Sequence, residues 1–119
     1  MGLFDKLFKK TEQPEDRFKV TINDEFIMVE HPQRKTEKVI WKNITEIRII
    51  TTDEGPWMPD VWLALFGKEE GDGCLIPQGA EGWEQVYNIV SEYEGFDFEQ
   101  FINSMGCAEN EQFLVWRKE

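Results

Sequence analysis

The sequence predicts an α+β fold: a mostly antiparallel sheet, or a partly closed barrel, of five to seven short strands followed by two C-terminal helices. Up to about Ile76, apolar residues alternate with polar ones or form short runs bounded by turn residues, as in strands. Beyond it, apolar residues recur at helical spacing. Pro77, Gly79 and Gly82 mark this change of period. Because each helix has an apolar face that must be covered, we expect the helices to pack on an open sheet face or to cap a barrel.

The length of 119 residues predicts one domain. We divide the chain into a short amphipathic segment and linker at residues 1–16 and a single α+β domain at residues 17–119. There is no apolar run long enough to span a membrane and no secretory signal, which predicts a cytoplasmic protein. Cys74 and Cys107 are too few for a disulfide framework, so we expect free thiols, with one disulfide between them as the alternative.

Strands are predicted wherever apolar residues alternate or form short bounded runs. The run at 61–66 is apolar at every position, which is typical of a central strand buried on both faces. The residues at 67–73 contain three glycines and predict a polar hairpin tip. The predicted strands cover about residues 18–22, 26–31, 36–41, 44–52, 61–66 and 74–76.

Two amphipathic helices are predicted after Pro77. The first covers about residues 81–93. The second begins at Asp97, which has capping-box spacing with Gln100, and ends at Gly106. Residues 113–116 predict either a last strand or an extended tail packed on the sheet. The apolar stripe of the second helix consists of Phe98, Phe101, Ile102 and Met105.

Residues 1–10 place Leu3, Phe4, Leu7 and Phe8 on one face of a helix and lysines on the other. One interpretation is a membrane-surface anchor whose lysines face anionic headgroups. The other is a helix docked on its own domain, or a frayed end, and we prefer it because ten residues are short for an anchor. Residues 11–16 form a polar linker.

The charge is unevenly distributed along the chain. The formal net charge is −11, of which residues 1–52 carry +1 (10 basic and 9 acidic residues) and residues 53–119 carry −12 (3 basic and 15 acidic). Because phosphate backbones attract basic surfaces, direct nucleic-acid binding is not expected. An acidic half favours a basic protein partner. The simpler interpretation is that the acidity only maintains solubility.

Several short motifs occur between about residues 36 and 116. They are Trp41-x-x-Ile44-x-x-Ile47, Thr52-Asp53-x-Gly55-Pro56, Asp60-Val61, Ile76-Pro77-Gln78, Gly95-Phe96-Asp97 and Asn110-x-x-Phe113-x-x-Trp116. Together these motifs resemble a family of small, uncharacterised bacterial proteins, which implies no activity and no site residues. The opening strands and the Trp-x-x-Ile segment are also similar to bacterial pleckstrin-homology-like domains, which implies a β-barrel capped by a C-terminal helix, although here two helices follow.

No catalytic set is recognisable in the sequence. His31 is the one histidine and lies in a predicted turn before Pro32, so a Ser-His or Cys-His arrangement would depend on it alone. Cys74, Cys107 and His31 lack the short paired spacing of zinc ligands. We therefore expect no enzyme activity, no cofactor and no metal.

The candidate partner-binding residues are acidic and aromatic. Aromatic side chains surrounded by charge are typical of protein-binding hot spots, although Trp57 could instead fold back over the end of the barrel. We expect an acidic, non-enzymatic interaction module that binds a basic protein, such as an immunity-type protein of a bacterial toxin system. The alternative is a peripheral membrane module of the pleckstrin-homology-like kind, anchored by residues 1–10. The candidates are Asp53, Glu54, Trp57, Met58 and Asp60 in a loop, and Glu69, Glu70 and Asp72 at the hairpin tip.

Overall fold

The alternation of apolar and polar residues in the first half of the chain produces strands, as predicted. The computed structural model describes residues 17–53, 61–69 and 71–118. Two helices, α1 (Trp83–Val90) and α2 (Phe98–Met105), lie between the last two of the seven strands in these ranges. The strands are β1 (Lys19–Ile22), β2 (Phe26–His31), β3 (Arg34–Ile40), β4 (Glu46–Thr51), β5 (Val61–Phe66), β6 (Gly73–Pro77) and β7 (Glu111–Arg117).

The strands form two antiparallel sheets, which confirms the α+β class. The first sheet has the order β1-β2-β3, and the second has the order β6-β5-β4-β7. The prediction of a partly closed barrel is wrong, because the two sheets do not join through a strand ladder. Where β3 approaches β6, the backbone N–H of Leu75 donates to the Glu37 carboxylate at 3.0 Å instead of to a backbone carbonyl. A side chain thus takes the place of the main-chain pairing that closure needs.

The order of elements at the C-terminal end also differs from the prediction. The helices do not end the fold, because β7 follows them and pairs antiparallel with β4. This settles the choice between a strand and an extended tail in favour of a strand. Trp116 lies opposite Ile47, and Phe113 lies opposite Ile49. The chain returns to the sheet because β4 would otherwise present an open edge.

One apolar core is shared by both sheets and α1. In β5, which lies between β4 and β6, Leu63, Ala64 and Leu65 are fully buried, as expected for a central strand. Near β6 the sheets approach closely, and the Cys74 thiol lies 3.6 Å from the Ile27 carbonyl oxygen. The fully buried side chains come from both sheets and from the first helix, and include Ile27, Val39, Ile47, Ile49, Leu63, Leu65, Ile76, Val86, Val90 and Val115.

Helix α1 is shorter than the predicted 81–93, because it begins at Trp83 and ends at Val90. Gly82 before it has φ +99°, a left-handed conformation that favours glycine. A Cβ atom at this position would lie 3.0 Å from the Val20 Cβ of β1. The absence of a side chain therefore lets the start of α1 rest on the first sheet.

We expect Glu37→Ala to lower the free energy of unfolding by about 1–3 kcal/mol, because it leaves the part-buried N–H of Leu75 without its acceptor. Glu37→Gln retains an oxygen acceptor and should cost less. Urea denaturation of both variants checks this. Equal losses would show that the bond between the sheets contributes little.

We expect Gly82→Ala to destabilise more than Gly95→Ala. Both glycines have positive φ, +99° and +89°, but a Cβ at Gly95 meets nothing within 4 Å. The shared conformational cost is about 1–2 kcal/mol, and the contact with Val20 should add about 1 kcal/mol. Thermal or urea unfolding measures both. In a Val20→Gly background, which removes the Cβ, the excess should shrink, and an unchanged excess would contradict the contact.

Candidate interaction surface

Most of the predicted partner-binding loop lies outside the described residues. This applies to Glu54, Trp57, Met58 and Asp60, and also to Glu70 in the hairpin. The alternative position of Trp57 over the end of a barrel lies outside them as well. Residues 1–16, with the predicted amphipathic segment and linker, are likewise outside the described ranges.

The three predicted site residues that the structure describes lie at two separate places. Asp53 follows β4, and its backbone N–H donates to the Asn110 side chain at 3.2 Å. Glu69 and Asp72 share the β5–β6 hairpin, where the N–H of Asp72 donates to the carbonyl of Glu69 at 3.0 Å. In the β4–β5 ladder, Asp53 is next to the end where Thr51 pairs with Val61, whereas the hairpin is at the end where Glu46 pairs with Phe66. The sheet therefore separates Asp53 from the other two.

A longer acidic stretch of the sequence includes both helices. Residues 69–116 contain eleven Asp and Glu residues and no Lys, Arg or His. In the parts of the chain that the structure describes, ion pairs form only between Glu46 and the two arginines Arg48 and Arg117. The described carboxylates of 69–116 thus have no basic partner within these parts. Nine of them are exposed, namely Glu69, Glu81, Glu84, Glu92, Glu94, Asp97, Glu99, Glu109 and Glu111.

Helix α2 is fixed at its start by Asp97. The Asp97 side chain accepts a hydrogen bond from the N–H of Gln100 at 3.0 Å, which confirms the predicted cap. The backbone N–H of Asp97 donates to the Val115 carbonyl at 2.7 Å and so attaches the helix to β7. The helix is therefore held in one orientation on the sheet.

That orientation leaves most of its apolar side uncovered. Phe98, Ile102 and Met105 are 50%, 67% and 37% exposed. They are spaced four and three residues apart, so they form one line along the helix. We call these three residues the α2 stripe. The expectation that they cover the sheet is wrong.

The inner side of α2 is built from other residues. Ser104 is fully buried, and its hydroxyl donates to the Phe101 carbonyl at 2.6 Å. The Phe101 ring stacks on Tyr87 of α1 at 4.6 Å. Ser104 and Phe101 thus belong to the inward side of the helix, and Phe98, Ile102 and Met105 to its outward side. At about 3.6 residues per turn, Ser104 lies beyond one edge of the predicted apolar arc, so no pattern in the sequence identifies it as buried.

The histidine and the two cysteines are the residues considered above for nucleophilic or metal-binding chemistry. His31 Nδ1 accepts from the N–H of Gln33 at 3.0 Å in the predicted turn, and its ring lies 4.6 Å from Phe18. Burial raises the pKa of the Cys74 thiol to about 12, and the carboxylates of Glu37 and Asp72 act in the same direction. Cys74 and Cys107 are both free thiols, as expected. Within the described residues, no three His, Cys, Asp or Glu side chains are close enough to hold a metal ion.

No helix in the described ranges is long and apolar enough to cross a membrane. The chain matches no protein-family model, no curated protein and no solved structure. The resemblance to small bacterial proteins and to pleckstrin-homology-like domains therefore stays a prediction. Function has to be inferred from the side chains themselves, of which the exposed carboxylates and the α2 stripe are the most distinctive.

We expect the buried Cys74 thiol to make the protein less stable as the pH rises through the alkaline range. In the unfolded chain the thiol ionises near pH 9.0, whereas the folded protein holds it neutral up to about pH 12. Between these two pH values the unfolded state binds fewer protons than the folded state. Ionisation of this thiol therefore lowers the free energy of unfolding by ~1.4 kcal/mol per pH unit.

Urea denaturation between pH 8 and pH 11 checks this expectation. Cys74→Ala should show a flatter pH profile than the native chain. Parallel profiles for the native chain and Cys74→Ala would mean that the thiol is not responsible.

Proposed function

We propose that this protein is a non-enzymatic interaction module that binds a basic protein partner through the acidic surface of residues 69–116, as an immunity-type protein of a bacterial toxin system does. The observation that carries the proposal is the set of nine exposed carboxylates in residues 69–116 that form no ion pair within the described part of the chain. Like charges on one surface repel each other and create a negative potential that attracts a basic protein. A partner rich in lysine and arginine would remove that repulsion on binding.

The position of these carboxylates supports the same function. Glu92 and Glu94 follow α1, Glu99 is in the first turn of α2, and Glu109 precedes β7. All four side chains are exposed, so binding needs no rearrangement of the core. Exposed carboxylates of this kind can imitate the phosphates that a basic nuclease binds. A nuclease is therefore the toxin class that suits the surface best.

A partner captured by the native chain should bind with a strong dependence on salt and should have a basic surface. Raising the salt concentration from 50 mM to 500 mM should weaken it, because exposed charges are screened over the shorter Debye length. Glu99→Gln with Glu109→Gln should slow association by roughly tenfold. Biolayer interferometry with the purified partner measures both effects.

The matched control is Asp24→Asn with Glu25→Gln, which removes two exposed charges from the first sheet. It should leave the association rate nearly unchanged. An affinity that ignores salt, or equal effects of the two double variants, would rule out the acidic surface as the binding site. If the partner is a toxic nuclease, an equimolar amount of the native chain should also abolish its activity.

A further inference from the structure

The α2 stripe is an apolar surface on the outside of the domain. Single exposed apolar side chains are ordinary, but Phe98, Ile102 and Met105 follow one line over two helical turns. A line with this spacing is the kind of surface on which an amphipathic helix lies. Asp97 and Glu99 flank Phe98 and are exposed. The surface therefore suits a segment that is apolar on one side and basic on the other.

The same chain contains such a segment at residues 1–10, outside the described residues. We propose that residues 1–10 dock on the α2 stripe, with Leu3, Phe4, Leu7 and Phe8 toward it and the lysines toward the carboxylates around it. This inference does not rest on the proposed function, since the segment and the stripe belong to one chain.

Charge favours this occupant. The segment has Lys6, Lys9 and Lys10 against a single acidic residue, Asp5. The surface that would receive it lies within residues 69–116, which contain no basic residue at all. The segment thus brings positive charge to the half of the protein that lacks it. Such pairs at a wet surface contribute only modestly each, so the apolar contact must supply most of the binding.

The start of the described chain is also in the right place. Phe18, Lys19 and Val20 line one depression together with Glu81, Gly82 and Gln85. Residues 78–85 line a second depression. Glu81, Gly82 and Gln85 belong to both depressions. At its far end, the Gln78 side-chain amide lies 3.7 Å from the Met105 sulfur. The surface is therefore continuous from the beginning of β1 to the stripe.

The linker sets how far residues 1–10 can lie from Arg17. Residues 11–16 are six residues, which span at most ~20 Å when fully extended. A short tether of this kind raises the effective concentration of the segment near the stripe to the millimolar range. A membrane would have to compete with that concentration for the same apolar side chains.

Methyl NMR of the full-length chain tests the proposal directly. We expect nuclear Overhauser contacts between the Ile102 methyl groups and protons of Leu3, Phe4, Leu7 or Phe8. Leu7→Asp should abolish these contacts and shift the Ile102 resonance. Thr11→Asp, which introduces the same charge into the linker, should leave both unchanged. Ile102→Ser should in turn shift the methyl resonances of Leu3 and Leu7.

The remaining outcomes would overturn the proposal. An Ile102 resonance that ignores Leu7→Asp would show that the segment lies elsewhere. A resonance that changes with protein concentration would show that a second copy covers the stripe. Perturbation of Leu3 and Leu7 only when phosphatidylserine vesicles are added would show a membrane anchor. The nuclear Overhauser contacts are measured on the protein without any partner, so this test can succeed or fail whether or not a basic partner binds.

Discussion

The contact between the two sheets at β6 is the constraint on which the rest of the fold depends. A three-stranded sheet has one apolar face and cannot bury it alone, so Ile27 and Val39 need the side chains of the second sheet. Cys74 and Ile76 of β6 belong to the same core cluster, and both are almost fully buried. Because no backbone ladder forms here, the Glu37 carboxylate supplies the acceptor for β6. The two sheets thus share one core but do not form a barrel.

This arrangement also explains why the negative charge of the second half stays unbalanced. Basic side chains of the first sheet lie over aromatic rings: Arg34 is 5.2 Å from the ring centroid of Trp62 in the second sheet, and Lys38 is 4.1 Å from that of Phe26. Arg48 and Arg117 both pair with Glu46 at one end of the second sheet. These four cations therefore contact groups other than the carboxylates of the helices. The surface of α1 and α2 remains open to positive charge from elsewhere.

Local features could be predicted from the sequence, and long-range ones could not. The strands and the Asp97 cap follow from spacing that a short window shows. Closure of the barrel depends on whether residue 37 pairs with residue 75 through backbone or side chain, and no periodicity reports that. The sequence does not show which side of α2 faces inward, because Phe101 and Ile102 are adjacent and both apolar. Their burial is decided by Tyr87 and by the buried Ser104, which are distant or polar. Much of the predicted binding loop, including Trp57, lies outside the described residues.

The acidic surface and the α2 stripe together define the chemistry of whatever binds there. A purely basic partner would leave the α2 stripe exposed to water. A purely apolar partner would bury the neighbouring carboxylates without a positive charge to pair with them. A segment with both properties satisfies both, and residues 1–10 have them. If that segment is tethered at a millimolar effective concentration, a free partner at micromolar concentration must bind about a thousandfold more tightly to take its place. Docking would then exclude weakly basic proteins and admit only a partner whose charge and apolar anchor fit better than the chain's own.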